Sequence, residues 1–354
     1  MRVGKRIGNY SVMLAGMAAM MLAGSTWAAQ KKGPLKVFIL AGQSNMEGHA
    51  NVSTIDFLGE DPDPARAGLL KKIKPDGKTL ATRDDVWIAK GAAYGNLGPG
   101  YGAGVSDKPG NNIGPEYGFG YFMGEAIDQQ ILLIKVSTGG TSLYLDWRPP
   151  SAGLPAGGKS DNWMYKELVT YTHQTLNDLK KRFPGYDEKA GYEIVGLVWF
   201  QGYNDMIQGG LPVSEYGRNL ICLIKDLRAE FKSPDMKVVV GVIGVNGVKN
   251  EGGKQGDTRN QMRSINSVPE FKGNVKAIET APLLHPEVVA LNTAGWLNKE
   301  RDLKTSPLTV EEKAMLARAT SNLGYHYFGE GRFFILLGKA FAETMQEMMG
   351  VIKK

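Results

Sequence analysis

The chain has 354 residues, a formal charge of +6 and a single cysteine, Cys222. One cysteine excludes an internal disulfide and any cysteine-held metal. Several of the positive charges sit at the amino terminus and at Lys31-Lys32, so the balance left is too small and too scattered for nucleic acid.

In chain order, Arg2, Lys5 and Arg6 precede an apolar run, Val12 to Leu22, that is too short to span a bilayer. Thr26-Trp27-Ala28 follows as a small-x-small cleavage site. Residues 1–28 are therefore read as a secretory signal peptide, leaving 29–354 as one domain with no membrane span. That remainder is roughly 325 residues against a usual domain of about 100 to 250, so insertions are expected.

Short β-branched apolar runs predict strands over Val37–Leu40, Leu132–Val136, Ile194–Phe200, Val238–Val245 and Val275–Glu279. Helical patterns lie between them: Gly118–Asp128, Tyr165–Arg182, Val213–Lys232 and Asp257–Ile265. An amphipathic helix, Arg332–Met349, closes the chain, and Cys222 is expected to be a buried, inert thiol in the stretch Leu220–Ile224. Strands alternating with helices, with the strands apolar almost throughout, predict a parallel sheet covered on both faces. The fold class is a doubly wound, three-layer α/β/α sandwich of the flavodoxin-like kind. Two stretches, 51–114 and 283–322, exceed ordinary loops and are read as excursions above one sheet edge, the second with a helix over Thr309–Ala319.

Four strand-end elements can carry chemistry. Gly42-Gln43-Ser44-Asn45-Met46-Glu47-Gly48 puts a serine where a strand turns into a helix, with helix N–H groups near its hydroxyl. It is not the Gly-x-Ser-x-Gly elbow, because Met46 stands at the last glycine. Gly139-Gly140 follows the second main strand, where glycines let backbone N–H groups approach an oxyanion. In Gln201-Gly202-Tyr203-Asn204-Asp205, both Gln201 and Asn204 offer an amide to the same oxyanion, and the sequence does not choose between them. His326, before the last helix, suits proton relay. Of the other histidines, His173 falls inside a predicted helix, His285 precedes Pro286 in an excursion, and His49 stands near Ser44 as a pocket-lining residue. No His/Asp/Glu spacing suggests a metal site, and no cofactor is called for.

In this order the four elements resemble the blocks of SGNH hydrolases. More narrowly, Phe38-Ile39-Leu40-Ala41-Gly42-Gln43-Ser44-Asn45-Met46 resembles the sialate O-acetylesterase and acetyl xylan esterase group, as do Gly139-Gly140-Thr141-Ser142-Leu143 and Trp199-Phe200-Gln201-Gly202. The likeness runs from about Lys36 to Glu347. It implies a carbohydrate O-acetylesterase with Ser44 as nucleophile, His326 as base, and an oxyanion hole of Ser44, Gly140, Asn204 and Gln201. The same stretches put Gln43, Gly139 and Thr141 along an acetylated sugar. The pattern also expects an acid three residues before the histidine, where this chain has Leu323. Two other readings stand beside it: a general short-chain esterase or acyltransferase, and a carbohydrate-binding protein that lost turnover with the acid.

Overall fold

The computed structural model describes residues 31–249, 251–292, 303 and 306–351. The segment read as a signal peptide and residues 293–302 of the second excursion lie outside them.

Seven strands make the main sheet: β1 (Leu35–Gly42), β2 (Arg83–Lys90), β3 (Ala93–Leu97), β4 (Ile131–Ser137), β5 (Tyr192–Phe200), β6 (Lys237–Val242) and β7 (Val275–Glu279). Their order is β3-β2-β4-β1-β5-β6-β7, and every pairing is parallel except that of β3 with β2. The longer helices are α1 (Pro115–Ala126), α2 (Trp163–Asn177), α3 (Tyr216–Glu230), α4 (Gly253–Arg263), α5 (Val310–Ala319) and α6 (Gly331–Met349).

Alternation within β1 shows why this is a three-layer sandwich. Val37, Ile39 and Ala41 face one core with Leu168, Leu220 and Met262, which come from α2, α3 and α4. Phe38 and Leu40 face the other with Phe119 of α1 and Phe333, Leu337 and Phe341 of α6. A strand buried on both faces is apolar at nearly every position, which is the pattern of a parallel central strand. Among the described residues no helix is long and apolar enough to cross a membrane.

Two expectations are corrected. Residues 83–97, read as part of an excursion above the sheet, form the β2–β3 hairpin that extends it. Cys222 is half-buried on the flank of amphipathic α3 rather than enclosed.

Register then positions the site. Gly42 pairs with Ser137 on β4 and with Phe200 on β5, so three parallel strands end level with one another. The segments that leave them begin at Gln43, Thr138 and Gln201. Chain order also reverses here, since β2 and β4 lie to one side of β1 and β5 to β7 to the other. Crevices at such reversals are where open α/β sheets bind ligands.

Candidate active site

Ser44 opens a short helix, Ser44–Glu47, with Gln43 as its extended cap residue. It is 7% exposed, and its hydroxyl and backbone N–H make no hydrogen bond among the described residues. The residues on either side of it hold the neighbouring loops. The Gln43 side-chain oxygen Oε1 accepts from Gly202 N at 3.1 Å, Asn204 N at 3.1 Å and Gln201 Nε2 at 3.2 Å. Asn45 Nδ2 donates to the carbonyl of Tyr325 at 3.2 Å. One side chain thus fixes the loop after β5 and the other fixes the loop of His326. The helix is anchored from below by Lys135, whose ammonium donates to Glu47 O at 2.8 Å and to the Glu116 carboxylate at 2.6 Å. A cation at a helix carboxyl end is favourably placed.

The glycine loop lies against the serine. A Cβ on Gly139 would sit 3.5 Å from Ser44 Cβ and 3.4 Å from Glu47 Oε2. Gly140 turns through the left-handed region at φ 73°, which a side chain would strain, and its N–H has no acceptor among the described residues. Thr141 is buried: its hydroxyl donates to Thr138 O at 2.8 Å and accepts from Trp147 Nε1 at 2.9 Å. Gln43 and Thr141, expected along the substrate, are therefore interior residues that shape loops.

Gln201 and Asn204 now separate. The Gln201 Nε2 group faces Asp205 Oδ2 at 2.6 Å, Thr141 O at 2.9 Å and Gln43 Oε1 at 3.2 Å. With two hydrogens and three acceptors it has none spare for an oxyanion. The Asn204 side chain is half-buried and makes no hydrogen bond among the described residues. Asp205, which the sequence presents only as a turn residue, is a buried strut whose oxygens accept from Leu143 N at 3.0 Å and Tyr144 N at 2.9 Å. Burial raises its carboxyl to about 6 despite those bonds.

His326 sits in a turn that few sequences tolerate. Tyr327 and Phe328 both have positive φ, 52° and 60°, and both are buried. Such strain persists only where surroundings impose it. Tyr327 stacks on Phe333 at 4.1 Å and its hydroxyl accepts from Gly244 N at 2.8 Å. Gly329 is required because a Cβ would fall 2.7 Å from that of Asn322, at φ 59°. Asn322 in turn presents Oδ1 to His326 Nδ1 at 2.9 Å. An amide oxygen can only accept, so Nδ1 carries the proton and Nε2 is the free acceptor. Sequence reasoning passes over Asn322 as uncharged, because the resemblance leads it to seek an acid near the histidine.

Burial pushes His326 down to about 3, helped by the charge that His49 carries at low pH. The His49 and His326 rings are stacked, centroids 3.9 Å apart and 1° from parallel. Tyr325 meets His326 edge-on at 4.4 Å and stacks with Tyr203 at 5.9 Å, so two half-buried tyrosines from distant segments lie in one row with the imidazole. His173 is elsewhere, paired with Glu230 at 2.9 Å, and His285 packs on Phe57. A cavity of about 980 Å³ lined by Asp61, Asn246, Leu284, Phe328 and Arg332 includes none of Ser44, Gly140, Asn204 or His326. Residue geometry, not cavity size, locates the chemistry.

A level row of strand ends thus carries a serine, a glycine loop, an amide and a histidine on an α/β/α sheet, a constellation of the kind ester hydrolysis uses. Residues 34–295 match the family model described as carbohydrate esterase, sialic acid-specific acetylesterase. The chain belongs to that family, and is thus a carboxylic ester hydrolase of the carbohydrate esterase kind. A solved protein of Arabidopsis thaliana is similar in fold, with 18% identity, a TM-score of 0.50, and coverage of 88% of this chain and 98% of that one. A carbohydrate acetylesterase from Xanthomonas citri is 12% identical at TM-score 0.45, covering 71% of this chain and 51% of its own. A family two carbohydrate esterase from Cellvibrio japonicus is 14% identical at TM-score 0.39, covering 91% and 63%. Comparison with curated proteins gives no match.

Proposed function

We propose that this protein is an exported esterase that removes O-acetyl groups from carbohydrates through an acyl-enzyme on Ser44. The Ser44 hydroxyl attacks the ester carbonyl carbon and passes its proton to His326 Nε2. The oxyanion is held by the Ser44 and Gly140 N–H groups and the Asn204 amide. Collapse returns that proton to the departing sugar oxygen and leaves acetyl-Ser44. Water, deprotonated by His326, then releases acetate and restores the serine.

The observation that carries this reading is the Asn322–His326 bond, which leaves Nε2 as the basic nitrogen beside the serine loop. A neutral amide here does the orienting that the family pattern assigns to an acid. The Tyr203–Tyr325 pair supports a sugar, since pyranose faces pack on aromatic rings, and half-exposed tyrosines give both a flat face and a hydroxyl. Export is supported by the apolar amino-terminal run and the cleavage site at Ala28.

A fluorophosphonate probe tests the nucleophile. The expected result is a single adduct on the Ser44 peptide, formed much more slowly in His326→Ala. Labelling elsewhere, or none in folded protein, contradicts the assignment.

A further inference from the structure

One hydrogen bond does not fix an imidazole. The Nδ1–Asn322 contact sets the tautomer, but a neutral amide lacks the charge that strengthens a carboxylate contact and so holds Nδ1 less firmly. Something else must hold the ring plane if Nε2 is to keep one direction. One face of His326 is covered by His49, ring on ring at 3.9 Å and within 1° of parallel.

His49 is built into the same unit as both partners of the reaction. It follows the Ser44–Glu47 helix directly after Gly48. The Ser321 hydroxyl accepts from Asn51 N at 2.9 Å and lies 3.4 Å from His49 O, tying the strand after His49 to the segment that carries Asn322. The ring itself serves no hydrogen bond at Nε2, which is buried without a partner, its nearest charge being Glu47 Oε2 at 4.0 Å. A buried ring nitrogen without a hydrogen bond is unfavourable, so no bond at Nε2 accounts for the ring's place, whereas the stack on His326 is a close ring contact. Burial, together with Lys90 and Lys135, holds His49 below its usual value against the opposing pull of Glu47. Both rings are then neutral near pH 7, and the stack is free of charge repulsion.

We propose that His49 is a positioning residue for the base, clamping the plane of His326 so that Nε2 stays directed at the Ser44 hydroxyl. This rests on the reading of Ser44 and His326 as nucleophile and base. A flat ring of any chemistry should serve, which separates stacking from proton transfer or charge.

The test measures kcat and KM separately on 4-nitrophenyl acetate for His49→Ala, His49→Phe and Ser44→Ala, with thermal melts of each. His49→Ala is expected to lower kcat about 10- to 100-fold with little change in KM, as loss of orientation does. His49→Phe is expected to recover kcat to within about 3-fold of the parent, since it keeps the aromatic face. Where His49→Ala melts early, His49→Asn replaces it in the comparison. Unchanged kcat without the ring, or a Phe variant as impaired as Ala, overturns the inference while an inactive Ser44→Ala leaves the nucleophile standing. An active Ser44→Ala overturns both.

Discussion

At the scale of single residues, the proposed mechanism turns on a histidine oriented by an amide. A general base works only while unprotonated, so a value lowered by burial extends its range on the acid side. The sign is therefore clear: kcat/KM should stay level from pH 8 to below 6.5 and fall only as pH approaches the depressed value near 3. A limb centred at the ordinary histidine value would contradict that environment. Replacing Asn322 with Asp puts a charge on Nδ1, stabilises the imidazolium and should move the acid limb to higher pH. Asn322→Leu should lower kcat by about 10²-fold, measured on the same ester. Tyr203→Ala should raise KM for an acetylated sugar several-fold and leave 4-nitrophenyl acetate unaffected. The motifs around Ser44, Gly140, Asn204 and His326 were legible because each sits within a few residues of a strand or helix end. The role of Asn322 was not, because an uncharged amide was set aside as an orienting group, and its reach to His326 shows only once the turn with its two left-handed aromatics is seen. Nor could Gln201 be separated from Asn204 until the partners of its amide were visible.

At the scale of elements, the site is carried by buried polar ties between strand ends. The Lys135–Glu116 pair is fully buried, and its ammonium also holds Glu47 O and Tyr101 O. Removing one partner leaves the other charged and unpaired, so Lys135→Met should destabilise by about 3–5 kcal/mol in denaturant titrations. Adding Glu116→Gln to it should recover part of the loss, and an additive double variant would argue against a coupled pair. Strands β1, β4, β5 and β6 were readable because burial on both faces makes them mostly apolar, and the edge strand β7 because Val275, Ala277 and Ile278 still mark a short apolar run beside Lys276 and Glu279. Strand β2 begins Arg83-Asp84-Asp85, and β3 contains Tyr94-Gly95-Asn96, so both resemble loop until β4 supplies a pairing edge. The capping box of α5, with Thr309 and Glu312 bonded to each other's backbone, was local enough to mark that helix's start.

At the scale of the whole molecule, parallel register and the reversal of strand order bring chemistry from four distant chain segments to one crevice. Export predicts a mature chain beginning at Ala29 when the protein is recovered from outside the cytoplasm, which amino-terminal sequencing would read directly. The most direct measurement of all is acetate release from a panel of O-acetylated sugars by the wild-type chain, beside Ser44→Ala and His326→Ala. Release that both substitutions abolish is the expected result. Release that survives Ser44→Ala, or no release from sugars that still bind, would contradict a serine esterase at this site.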